Sequence, residues 1–116
     1  MTIADLGYLH TFCEGDEERM KKYINIYLRA AAGFDDTAVA ALSSKDFEGI
    51  AALTHSFKPK WMMMGMKQTI ELGQKIEPLC RETPDENKIS EQLALLKEQH
   101  SISVKELEDH LKNIIA

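Results

Sequence analysis

Apolar residues recur at three- and four-residue steps along almost the whole chain, and runs alternating apolar with polar residues are nearly absent. A period near 3.6 gathers one stripe of side chains on one side of a helix, whereas a strand needs a period of two. The chain is therefore expected to be all-α. Its 116 residues, 44% of them hydrophobic, suit one domain spanning 1–116 with a single core.

The stops between periodic segments give the order of elements. Residues 3–13 predict a short helix with Ile3, Leu6, Leu9 and Phe12 inward, ended by Gly15. Asp16 is placed to cap the next helix, with Glu17 and Glu18 in its acidic first turn. That helix reaches about Leu42 through Met20, Ile24, Tyr27, Ala31, Phe34, Ala38 and Ala41, as one piece or as two joined at Gly33. Glycine there costs about 1 kcal/mol against alanine. After the break at 43–46, a helix is expected from Phe47 to about Met64, with Gly65 at its end, and another from about Lys67 to Glu82. The clearest loop is 83–87, with Pro84 and Asn87. A last helix over roughly 88–114 carries a seam of Ile89, Leu93, Leu96, His100, Ser103, Leu107, Leu111 and Ile114. Four long helices with short connections predict an antiparallel four-helix bundle with a short N-terminal cap helix.

Charge and cysteine content exclude several classes. A net charge of -5 and a pI near 5.3 argue against nucleic-acid binding, which needs a basic face. No run approaches the roughly 18 apolar residues of a membrane span, and no secretory signal is seen. Cys13 and Cys80 lie far apart and read as reduced, mostly buried thiols of a cytoplasmic protein. The initiating Met and the length lead us to expect a stand-alone protein, with a monomer as the default expectation.

The stretch THSFKPKWMMMGM, residues 54–66, holds the only Trp and four of the six Met. Phe47, Ile50, Thr54, Phe57, Trp61 and Met64 form a core seam at helical spacing. His55 points away from that seam. Lys58 follows on the same side at i+3, and Ala51, Ala52 and Met62 are its neighbours. An exposed imidazole is largely neutral near pH 7, and its Nε2 can attack an activated phosphoryl group whose oxygens a nearby Lys neutralises. Other groupings carry less chemistry. His10 and Cys13 at i, i+3 are two metal ligands without a second pair. The Met run reads as core and contact surface.

The run H-S-F-K-P-K-W-M-M-M-G-M resembles the signature of histidine-containing phosphotransfer (HPt) domains: a His, a Lys three residues on, usually a Gly next, and a second Gly ten residues after the His. His55, Lys58 and Gly65 match, and Pro59 stands where the family usually has Gly. The likeness extends over nearly the whole chain, through the Gly15–Asp16 helix start, D-x-x-x-I-A-A-L-x-H from Asp46, and L-x-x-x-I-E ending at Glu77. It implies a phosphocarrier without kinase or phosphatase chemistry of its own. Such a carrier accepts a phosphoryl group from an Asp of one receiver domain, including the receiver of a hybrid histidine kinase, and passes it to an Asp of another. No cofactor is implied on this chain, because Mg²⁺ belongs to the receiver partner.

The resemblance makes His55 the phosphoryl acceptor and Lys58 the phosphoryl stabiliser. Glu77, 22 positions after His55, would touch the imidazole. A carboxylate accepting from Nδ1–H would also hold the tautomer that leaves Nε2 free. Docking of the receiver is expected around Ala51, Ala52, Pro59, Met62 and Gln68. Pro59 lacks the N–H that would bond the His55 carbonyl, a cost of about 3 kcal/mol in a helix interior. An HPt-like adaptor that binds receiver or kinase domains without accepting phosphate is the alternative reading of the same residues.

Overall fold

A computed structural model describes residues 2–115, and the side chains of residues 2–113. Among the described residues there are five helices: α1 (Gly7–Phe12), α2 (Glu17–Ser43), α3 (Phe47–Met63), α4 (Lys67–Arg81) and α5 (Glu86–Ile115). There is no strand among the described residues. The helix α2 packs on α3 and α5, and α4 packs on the same two helices. No helix is long and apolar enough to cross a membrane among the described residues.

Local chemistry explains the helix boundaries. The Asp16 carboxylate accepts from the amides of Glu18 and Arg19, satisfying donors that the first turn of α2 would otherwise leave free. Asp46 does the same for α3, accepting from Gly49 N at 2.9 Å. Gly33 lies inside an unbroken α2 with open space around it, so the helix is one piece. Gly65 ends α3 with φ +62, and a Cβ there would run into the backbone oxygen of Asp5. A left-handed residue in that close contact is restricted to glycine.

Two expectations for the N-terminus are corrected. The helix predicted over 3–13 begins only at Gly7, because the preceding amides bond elsewhere. Ile3 N and Ala4 N donate to the Glu106 carboxylate on α5, and Asp5 N donates to Met64 O. Phe12, expected inward, is 42% exposed, its ring against Tyr8 and Tyr23; Ile3, Leu9 and Cys13 are the buried residues of this segment.

The core is aromatic where α2, α3 and α5 meet. Phe34 packs edge-on against Phe57 at 4.7 Å and against His100 at 4.8 Å, and Trp61 is 1% exposed. Burying a ring of Trp size removes about 200 Å² from water, about 5 kcal/mol before conformational entropy is set against it. Polar groups inside are satisfied. Trp61 Nε1 donates to His100 Nε2 at 3.0 Å, and Tyr27 OH bonds Ser103 Oγ at 2.8 Å. Burial pushes the Tyr27 phenol up to about 12. An indole N–H can only donate, so His100 must carry its proton on Nδ1, which faces Asp35 Oδ1 at 3.3 Å. No buried side-chain polar atom lacks a partner among the described residues. His100 thus ties α2, α3 and α5 together. Ile114, placed by its spacing on the same seam, lies outside the described side chains.

Helix α4 comes close to α3 at Gly73. A Cβ there would meet Trp61 Cζ3 at 2.7 Å and Thr54 Cγ2 at 3.2 Å. The missing side chain leaves room for the indole between the two helices.

Candidate functional site

The seam of α3 is buried from Ile50 onward as its spacing predicts, with Ile50, Thr54, Phe57, Trp61 and Met64 inside, while Phe47 at the helix start is only partly buried against the core. That register turns His55 outward, with 70% of its side chain exposed. On the adjoining α4, Ile76 and Cys80 are buried, while Glu77 is 23% exposed and faces the imidazole. His55 Nδ1 lies 3.2 Å from Glu77 Oε1. An ionised carboxylate only accepts, so the neutral ring donates from Nδ1 and presents the Nε2 lone pair. No side chain occupies Nε2 among the described residues.

The remaining sequence-predicted residues divide. Lys58 is half-buried one turn along α3 and makes no ion pair among the described residues, so its ammonium is not committed elsewhere. Ala52, Pro59 and Gln68 are exposed, and Met62 is 54% exposed. Ala51 is different. It is fully buried in the core, because the i−4 position from His55 falls on the side of α3 that its neighbours cover. It offers no surface to a partner, and its place in the expected docking surface is withdrawn. Lys60, the other nearby cation, sits over the Phe57 ring with Nζ 5.1 Å from the centroid.

Pro59 does not break α3, which runs through it to Met63. Helix α4 likewise runs through Pro78. The His55 carbonyl has no Pro59 N–H to accept from, and no side chain donates to it among the described residues. Pro59 also lines a groove between α2 and α3 with Tyr23, Ile26 and Met63, so an apolar surface adjoins the His55 turn.

Two residues of the site went unnoticed in the sequence. Arg81 Nη1 lies 3.4 Å from Glu77 Oε2, and Arg81 Nε lies 3.7 Å from Glu48 Oε2. The i+4 spacing from Glu77 to Arg81 was a legible signal. The Glu48 contact crosses from α4 to α3 and needed their relative register. Beneath this chain of charges lies Cys80, whose thiol is pushed up to about 11 by burial, with Glu48 adding to the rise. It is therefore a protonated, enclosed thiol at neutral pH.

As a chemical device, the site offers one accessible nucleophilic nitrogen, a carboxylate that orients the ring, and an uncommitted cation one turn away. No protein-family model, curated protein or solved structure matches the chain.

Proposed function

We propose that the chain is an HPt phosphocarrier, an antiparallel four-helix bundle capped by α1, which exchanges phosphoryl groups with receiver domains. The observation that carries this reading is the His55 Nδ1–Glu77 Oε1 pairing of 3.2 Å on a ring that is 70% exposed. Nδ1–H donates to the carboxylate, and Nε2 attacks the phosphorus of a receiver aspartyl phosphate. The N–P bond forms as the P–O bond to the aspartate breaks, and the receiver carboxylate leaves with the electron pair. The phospho-imidazole keeps its proton on Nδ1 and is cationic, a charge that Glu77 stabilises. Lys58 swings toward the phosphoryl oxygens. Attack on phosphorus by the Asp of a second receiver reverses the step. The receiver supplies the Mg²⁺. Ala52, Pro59, Met62 and Gln68 form the docking rim, where small and re-packable side chains let another active site approach.

Incubation with a phosphorylated receiver domain tests the reading. The protein should take up label that is acid-labile and base-stable, and the His55→Ala variant should take up none. An unlabelled wild type, or a labelled variant, removes it. The departure at Pro59 favours a second reading, an adaptor that binds receivers without accepting phosphate. That reading predicts receiver binding with no label.

A further inference from the structure

We propose that Arg81 is a positioning residue for His55, acting through Glu77 and itself anchored by Glu48. The proposal rests on the phosphocarrier reading and adds to it the group that holds the ring-orienting carboxylate in place.

The geometry is a ladder of charges that starts and ends on α3. Glu48 and His55 stand seven residues apart on that helix, about two turns. Between them, α4 contributes Arg81 and Glu77 one turn apart. The guanidinium is a planar fork. Its Nη1 faces Glu77 Oε2 at 3.4 Å while its Nε faces Glu48 Oε2 at 3.7 Å, so the two carboxylates set its plane together. With Oε2 engaged by Arg81, Glu77 is left with Oε1 toward His55 Nδ1.

The chemistry needs this control because a Glu side chain rotates freely about three bonds when nothing holds its far end. A neutral imidazole with no partner favours the proton on Nε2, the nitrogen that must attack. The Nδ1–H form is maintained only while a carboxylate oxygen stays within hydrogen-bond reach of Nδ1. Arg81 is 43% exposed and Glu48 74%, so neither ion pair adds much to stability. The effect is on orientation, and its size is bounded by the energy of exposed pairs, about 1 kcal/mol or about five-fold in a rate or tautomer ratio.

The test reads the tautomer directly. Nitrogen-15 correlation spectra of His55 at about pH 8, where an imidazole is neutral, should show mainly the Nδ1–H form in the wild type. Arg81→Gln should move the ratio toward Nε2–H by about two- to five-fold, and slow labelling by a phosphorylated receiver by a similar factor. Arg81→Lys, which keeps a charge on Glu77 but loses the fork, should restore part of both. Glu48→Gln should give a smaller shift in the same direction. Thermal melts should be unchanged across the set, since all these side chains are solvent-accessible. An unchanged tautomer ratio in Arg81→Gln overturns the proposal, and if labelling slows all the same, Arg81 touches the phosphoryl group itself. A wild type that takes no label while Arg81→Gln still shifts the tautomer defeats the phosphocarrier reading and leaves the positioning role standing.

Discussion

Two histidines in this chain carry a carboxylate on the same ring nitrogen. His55 Nδ1 faces Glu77 at 3.2 Å, and His100 Nδ1 faces Asp35 at 3.3 Å. The difference lies at the other nitrogen. His100 is 2% exposed, and its Nε2 accepts from the Trp61 indole. His55 is 70% exposed, and its Nε2 is unoccupied among the described residues. In both, the carboxylate selects the Nδ1–H tautomer. What faces Nε2 differs: an indole makes the His100 ring a brace across three helices, whereas solvent leaves the His55 lone pair open.

The largest effect should separate the two by function. His55→Ala should abolish labelling from a phosphorylated receiver while leaving urea unfolding within about 0.5 kcal/mol of wild type, as for an exposed site. His100→Ala should do the reverse. It opens a cavity and strands the Trp61 N–H and the Asp35 carboxylate, costing about 3 kcal/mol by chemical denaturation. Label taken up per folded molecule should stay near that of wild type. Equal losses of labelling in the two variants would contradict the division of roles.

Pro59→Ala comes next. It restores a donor to the His55 carbonyl, worth about 3 kcal/mol in a helix interior, and loosens the unfolded chain, worth about 1 kcal/mol the other way. The net expectation is a gain of about 2 kcal/mol in urea unfolding. A Pro59→Gly variant with wild-type transfer kinetics would show that transfer does not depend on the proline ring beside His55.

A smaller effect belongs to pH. Burial pulls the His100 imidazole below its usual 6.5, with the Asp35 carboxylate opposing part of the shift. The unfolded chain therefore takes up a proton that the folded chain refuses. The stability contribution is complete above about 6.5 and is lost as pH falls below it, at up to about 1.4 kcal/mol per pH unit. His100→Gln, which can accept from Trp61 and donate to Asp35 without titrating, should flatten that part of the profile. An identical slope in the variant would assign the acid sensitivity to other groups.

Much of this was legible in the sequence. Helix order, the Asp16 cap, the break before α3 and the end at Gly65 all follow from local rules, because capping and φ > 0 are decided within a few residues. The outward turn of His55 follows from periodicity alone. The misplaced residues were those whose partners are distant. Phe12 lies against Tyr23 of the next helix, and Ile3, buried as expected, stays outside α1 because its amide donates to Glu106, 103 residues away. Ala51 was misassigned because a small residue beside His55 on the wheel looked accessible, and only packing shows that side of α3 to be covered. His100 was placed on the inner seam of its helix, but Trp61 and Asp35 lie 39 and 65 residues away, beyond any spacing rule.

Gly73 sits one turn before Glu77, and the side chains nearest its missing Cβ are Trp61 and Thr54, the residue next to His55. The gap between α3 and α4 at that level is therefore as narrow as an indole and a bare α-carbon allow. A single methyl group there would wedge the helices apart by some tenths of an ångström. A hydrogen bond of 3.2 Å has little slack for that. The length of the His55–Glu77 contact is thus gauged from inside the protein, by an atom that is not there.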